Sequence, residues 1–124
     1  MKKRVLNPDR LRKVPAQFSW IDHRLVREGY FLRCDHPAWT LYLFLAAVAD
    51  VQGLSYYSDA SLTRRLRMDL AQLAASRQQL IQAGIVAYEK PLYQVLDLEP
   101  VEQQTRSGQV SVGELLRKAL GEQA

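Results

Sequence analysis

Cysteine and long apolar runs are scarce in this chain, and both shortages narrow the classes of protein to which it can belong. Cys34 is the single cysteine, so no disulfide can form within the chain. The longest apolar run, residues 41–49, is far shorter than the roughly 18 apolar residues that suggest a membrane-spanning helix. The basic N-terminus lacks the apolar segment and small-residue cleavage site of a secretory signal. We therefore expect a cytoplasmic protein with no membrane partner.

Sequence motifs of catalysis and of metal binding are also missing. The chain has no Gly-rich phosphate loop, no G-x-S-x-G and no H-E-x-x-H. Cys34, Asp35 and His36, with Asp22 and His23 upstream, are the one cluster of potential ligands or nucleophiles. Structural zinc normally takes four Cys or His ligands, and a Cys-His pair needs facing side chains and a third orienting group. The sequence therefore predicts no enzyme, no metal site and no cofactor.

Positive charge is concentrated at the N-terminus of a chain whose formal net charge is +4. Residues 1–16, the basic arm, hold six cations and one carboxylate, a net of +5, so the remainder sums to −1. The cations of the arm are Lys2, Lys3, Arg4, Arg10, Arg12 and Lys13. Such an arm attracts polyanions because binding to phosphate releases condensed counterions. The alternative is a tail that only increases solubility.

Hydrophobic periodicity divides the rest of the chain into short helices and strands. At 124 residues, of which 48% are hydrophobic, the chain suits one core. Helical spacing and capping residues predict helices over 18–26, 37–51, 60–66 and 70–83, and strands over 54–57, 85–88 and 92–98. Asp35 or His36, Ser58 or Asp59, and Asp69 are the predicted N-caps, and Gly84 is the predicted C′ residue of the last helix. The fold class is therefore mainly α with a small β-hairpin, an α+β fold.

The C-terminal part of the sequence predicts a polar linker, residues 99–110, followed by an amphipathic helix, residues 111–124. Ser111 and Glu114 form an S-x-x-E capping box at the start of that helix. Its apolar stripe consists of Leu115, Leu116, Ala119 and Leu120. The helix either folds back onto the domain or pairs with its counterpart in a second chain, which would make a homodimer.

The order of elements, in which two helices flank a three-residue turn and a hairpin follows, resembles the winged helix-turn-helix superfamily of the bacterial and phage type. The resemblance covers residues 37–98, within a domain of residues 17–98 that has flanking N- and C-terminal helices. Its most specific stretch is SDASLTRRLRMDLAQLAASRQQLIQAGIVAY. The residues in this stretch that fall at the family's core positions are Leu62, Leu66, Met68, Leu73, Leu80 and Ile81.

The resemblance implies that the helix over 70–83 is a recognition helix that enters the major groove of double-stranded DNA. Gln72 would pair bidentately with adenine, and Arg64, Arg65 and Arg67 would contact phosphate. The remaining candidate DNA contacts are Ala71, Ser76, Arg77 and Gln79 on the recognition helix, Lys90 at the hairpin tip, and Lys2, Lys3 and Arg4 in the basic arm. The expected role is a transcriptional regulator or an accessory factor of a mobile element or of replication.

Three residues depart from the family pattern and leave room for functions other than the binding of double-stranded DNA. Thr63 replaces a common alanine, Arg67 a common glycine in the turn, and Arg77 an apolar residue. Arg77 either reaches phosphate or an acidic partner, or forms a structural ion pair. The recognition helix is poor in charge, so the alternative is a winged-helix adaptor that binds another protein in a replication or transposition complex. A third interpretation is single-stranded DNA or RNA binding through the basic arm.

Overall fold

The computed structural model describes residues 2–99, which form an α+β fold of four helices and a three-stranded antiparallel sheet. The helices are α1 (Arg24–Arg27), α2 (His36–Val48), α3 (Asp59–Leu66) and α4 (Leu70–Gln82), and the strands are β1 (Leu54–Tyr56), β2 (Val86–Glu89) and β3 (Leu92–Val95). Two 3₁₀ turns, Pro8–Arg10 and Tyr30–Arg33, precede α1 and α2 respectively. None of the helices in this range is long and apolar enough to cross a membrane. The predicted linker and C-terminal helix lie outside the described range, apart from Glu99.

Polar N-caps begin the three long helices at the predicted positions. Asp35 accepts a hydrogen bond from the backbone N–H of Ala38 at 3.2 Å and begins α2. The hydroxyl of Ser58 accepts one from the N–H of Ser61 at 3.1 Å and begins α3. Asp35 rather than His36, and Ser58 rather than Asp59, is the N-cap. The extended backbone of each cap turns its side-chain oxygen toward the unpaired N–H groups of the first turn.

The prediction of a helix over residues 18–26 is wrong, since the structure has a helix only at Arg24–Arg27. The carboxylate of Asp22 accepts a hydrogen bond from the N–H of Arg24 at 2.8 Å and so sets the first helical turn after it. Phe18 and Trp20, which carry the periodicity, are 63% and 71% exposed. An apolar stripe that meets no packing partner provides little stabilisation for a helix.

Helix α2 lies at the centre of the core, as its composition predicts, although it ends at Val48 rather than at residue 51. One face of α2 is buried against α4 and the sheet, whereas Leu43 on another face is 61% exposed. The buried core consists chiefly of Leu25, Tyr30, Ala38, Leu41, Tyr42, Leu45, Leu62, Leu73, Leu80, Ile85, Val86, Tyr93 and Leu98. Burial of this set is the main favourable contribution to folding.

The sheet joins the β-hairpin to the strand that precedes α3. The strand order is β1-β3-β2, and β3 is antiparallel to both neighbours. Each predicted strand is present, but β3 ends at Val95 instead of residue 98. Beyond β1, the N–H of Val95 donates to the carbonyl of Gly53 at 2.8 Å, and Gly53 has a φ of +85°. This close approach extends the pairing of β1 with β3 by one residue on the N-terminal side of β1.

Gly53→Ala should destabilise the protein more than Gly84→Ala. Both glycines have positive φ, but a Cβ at Gly53 would lie 2.5 Å from the carbonyl oxygen of Val95, whereas at Gly84 it meets nothing within 4 Å. We expect a loss in the free energy of unfolding of about 1 kcal/mol for Gly84→Ala and about 3 kcal/mol for Gly53→Ala. Urea unfolding of the two variants measures both values, and equal losses would contradict the close approach.

Candidate nucleic-acid interface

A tight turn joins α3 to α4 and sets the angle between them. Arg67 ends α3 with a φ of +55°, in the left-handed region, and the N–H of Met68 donates to the carbonyl of Thr63 at 3.0 Å. The side chain of Met68 is buried beneath the turn. This geometry explains why a glycine is favourable at the position of Arg67, because few other residues adopt positive φ without cost.

A reciprocal capping box begins α4 immediately after the turn. The carboxylate of Asp69 accepts from the N–H of Gln72 at 2.7 Å, and the side-chain oxygen of Gln72 accepts from the N–H of Asp69 at 3.4 Å. Gln72 is exposed at the N-terminal end of α4, as is Ala71. The longer bond uses the side-chain oxygen of Gln72. A bidentate contact to adenine needs that oxygen, so it would replace this bond.

The three predicted phosphate-binding arginines, Arg64, Arg65 and Arg67, are all exposed at the end of α3 and in the turn. We call them the arginine cluster. The Nε of Arg65 donates to the hydroxyl of Ser61 at 3.1 Å, and its guanidinium lies 5.8 Å from the centre of the Tyr57 ring. These contacts orient the Arg65 side chain and leave its terminal nitrogens available to an anion.

Ser76 and Gln79, two of the predicted DNA contacts, are engaged within the protein, since Ser76 is buried and the partly buried Gln79 is hydrogen-bonded to Asp35. Ser76 is only 1% exposed and lies on the same face as Leu73 and Leu80. The side-chain amide of Gln79 donates to the carboxylate of Asp35 at 2.9 Å, and its oxygen accepts from the N–H of Asp35 at 2.7 Å. Gln79 therefore ties the C-terminal half of α4 to the N-cap of α2. For Ser76, the spacing of three residues from Leu73 and four from Leu80 is the sequence signal for burial.

Arg77, another predicted DNA contact, forms the structural ion pair that was the alternative for its guanidinium. Nη1 lies 2.9 Å from a carboxylate oxygen of Asp59 and donates to the hydroxyl of Tyr93 at 2.8 Å. The guanidinium also lies 4.3 Å from the centre of the Tyr88 ring. Burial lowers the pKa of Arg77, but its bonds to Asp59 and Tyr93 outweigh burial and raise the pKa overall. The side chain is 14% exposed and is committed to α3 and the hairpin.

The other predicted contacts are accessible but lie on separate parts of the chain. Lys90 is exposed in the two-residue turn between β2 and β3, so the hairpin tip is short. Lys2, Lys3 and Arg4 are exposed in the basic arm. The arrangement thus offers a cationic cluster beside the exposed N-terminal end of α4, with further cations at the hairpin tip and in the arm.

The cluster around Cys34 does not bring its side chains together as a metal site would. Within residues 2–99 no group of three or more His, Cys, Asp or Glu side chains is close enough to hold a metal ion. The thiol of Cys34 donates to the carbonyl of Gln79 at 3.7 Å, and burial raises the pKa of the thiol. Cys34 thus packs where α4 approaches the segment before α2.

Sequence reasoning missed a groove of about 680 Å³ on the other side of α2. We call it the N-terminal groove, and its walls include Phe18, Trp20, Tyr42, Ala46, Val95 and Leu98.

Comparison with protein-family models, with curated proteins and with solved structures returned no match. The residues of the chain itself are therefore the basis for a functional proposal.

Arg77→Met should lower the free energy of unfolding by about 2 kcal/mol. The substitution removes the partner that the buried hydroxyl of Tyr93 shares with the half-buried carboxylate of Asp59. Arg64→Met makes the same chemical change at an exposed site and should cost less than about 0.5 kcal/mol. Urea unfolding distinguishes the two. A similar, small loss for both would show that the ion pair contributes little.

Asp35 should titrate below its ordinary value of 3.8, because its hydrogen bonds from Gln79 and from the N–H of Ala38 lower the pKa of its carboxyl. A carboxyl with a lowered folded pKa stabilises the fold above its unfolded pKa, and this contribution is lost as the pH falls through the folded value. Gln79→Ala should raise the Asp35 pKa, and Gln78→Ala, at an exposed neighbour, should not. NMR titration of the Asp35 carboxyl carbon measures this, and an unchanged midpoint in Gln79→Ala would contradict the link.

Proposed function

We propose that the chain is a double-stranded DNA-binding protein of the winged helix-turn-helix type, with α4 as the helix that enters the major groove. The proposal is supported by the order of elements from α2 to β3, which is the order on which the resemblance rests. It is also supported by the sheet, since β1 pairs with the hairpin and holds it beside the helix pair. In such a domain the first helix of the pair crosses the phosphate backbone and the second reads base edges.

The arginine cluster is the single observation that carries the proposal. Its three cations are exposed where α3 turns into α4, at the end of α4 that would come nearest to DNA. The N-terminus of a helix also presents unpaired N–H groups and a positive dipole, both of which favour phosphate. Cations at this place can contact the phosphate backbone while leaving the first turn of α4 near the bases.

Base contacts would come from the exposed polar and small residues at the start of α4. Gln72 is the residue best placed for adenine, and the methyl group of Ala71 suits the methyl group of thymine. Lys90 at the hairpin tip and the cations of the basic arm would add phosphate contacts that do not depend on sequence. The role would be that of a cytoplasmic transcriptional regulator or of an accessory factor in replication or in a mobile element.

A second candidate function is a protein-interaction adaptor in a replication or transposition complex. The observation that favours it is the apolar start of α4, where Leu70 is 63% exposed beside the exposed Ala71. An apolar docking surface responds weakly to salt, whereas DNA binding through about six phosphates weakens roughly a thousandfold between ~50 and ~200 mM salt. The salt dependence therefore separates the two functions.

The test is fluorescence anisotropy on mixed-sequence duplex and single-stranded DNA across a salt series. It compares the full chain with two triple variants that each remove three positive charges. One replaces Arg64, Arg65 and Arg67 by alanine, and the other replaces Lys2, Lys3 and Arg4 by alanine. We expect the first variant to flatten the salt slope by about 3 and to lose the preference for duplex. The second should also flatten the slope but keep that preference.

Equal behaviour of the two variants would contradict the proposed role of the arginine cluster. Stronger binding of single strands, abolished by the arm variant, would favour the third interpretation, in which the basic arm binds single-stranded DNA or RNA. Absence of duplex binding at low salt would overturn the DNA-binding proposal and favour the adaptor.

A further inference from the structure

The N-terminal groove lies between three segments that are distant in the sequence. Residues 16–20 form one wall, the end of α2 and the following loop form the floor, and the segment after β3 forms the other wall. With a volume of about 680 Å³, the groove is in the size range of sites that bind ligands or side chains.

The wall formed by residues 16–20 is held in position, although its aromatic side chains are uncovered. The hydroxyl of Ser19 donates to the carbonyl of Ala47 in α2 at 3.3 Å. Arg24, in the helix that follows this wall, donates to the carbonyl of Leu98 at 3.1 Å and pairs with Asp22 at 2.7 Å, which joins the segment after the first wall to the second wall. Phe18 and Trp20 nevertheless remain 63% and 71% exposed. Large apolar side chains grouped at a groove are typical of a binding surface.

The described part of the chain ends at the rim of this groove. Leu96, Asp97 and Leu98 line it, and Glu99 follows directly. The next segment, residues 100–124, therefore starts beside the groove. It contains the apolar stripe of the predicted amphipathic helix, Leu115, Leu116, Ala119 and Leu120.

We propose that the C-terminal segment, residues 111–124, docks its apolar stripe into the N-terminal groove of the same chain. About a dozen residues separate Leu98 from the start of this segment, and a chain of that length reaches at most ~43 Å when fully extended, so the segment starts within reach of the groove. Because the segment is covalently attached this close to the groove, its effective concentration there is in the ~mM range. Even a weak intrinsic affinity is then enough to keep the groove occupied.

The charges of residues 111–124 favour the groove over DNA as the binding site of the segment. Glu114 and Glu122 balance Arg117 and Lys118, so the segment is neutral and gains little from phosphate. Its apolar stripe is the feature that remains for recognition, and the groove offers exposed aromatic rings. Docking would also cover residues 17–20, which directly follow the basic arm. The inference does not depend on DNA binding.

The experiment uses the indole N–H resonance of Trp20 in the ¹⁵N-labelled full chain. A double variant, Leu116→Gln with Leu120→Gln, removes the middle and end of the stripe. Its matched control, Glu114→Gln with Arg117→Gln, introduces the same residues on the opposite face, keeps the net charge and preserves a capping box. The Trp20 resonance is identified by its loss in Trp20→Phe, and the resonance of Trp39 reports whether the domain remains folded.

We expect the stripe variant to move the Trp20 resonance toward its position in a chain truncated after Glu99, while the control leaves it in place. The Trp39 resonance should change in neither variant, and the positions should not depend on protein concentration. An unchanged Trp20 resonance in the stripe variant would overturn the proposal. A change that appears only at high concentration, together with a dimer in sedimentation, would overturn it in favour of a second copy of this chain.

Discussion

The guanidinium of Arg77 is the constraint on which the arrangement of α3, α4 and the hairpin depends. A largely buried charge is costly unless it is paired and hydrogen-bonded, and Arg77 meets this requirement with partners on different elements. Asp59 belongs to the first turn of α3, Tyr93 to β3 and Tyr88 to β2. Because one planar group contacts all three, the two helices and the hairpin cannot shift independently without leaving a charge or a hydroxyl unpaired.

A second polar link fixes the same helix from its other side. Gln79 joins α4 to the N-cap of α2 through two hydrogen bonds with Asp35, two residues along the helix from Arg77. Side chains two residues apart point about 200° away from each other around a helix, so α4 is held between α2 on one side and α3 with the hairpin on the other. Among residues 2–99, no comparable polar link ties the N-terminal turn of α4 to another element, and the arginine cluster precedes that turn. The DNA-binding proposal rests on this arrangement, in which α4 is fixed by two polar links and its exposed start is flanked by cations.

The caps and the order of the elements could be predicted from the sequence because they depend on local chemistry. Asp35, Ser58 and Asp69 each precede an apolar pattern with helical spacing, and each accepts the expected backbone hydrogen bond. The site was less predictable because it depends on which face of α4 is buried. Ser76 carries no hydrophobic signal, yet it is buried, and Gln79 is held to Asp35, whereas the apolar Leu70 is 63% exposed. The periodicity of residues 18–26 failed for the opposite reason, since no surface covers Phe18 and Trp20 within residues 2–99.

The central claim is that the exposed start of α4 and the arginine cluster contact double-stranded DNA. The most direct measurement is an NMR titration of the ¹⁵N-labelled chain with a short duplex, following the backbone amides of each element. The account predicts that the largest changes lie between Arg64 and Gln72, with smaller ones at Lys90 and almost none in α2. Changes confined to the basic arm, with the amides of α3 and α4 unmoved at saturation, would contradict it.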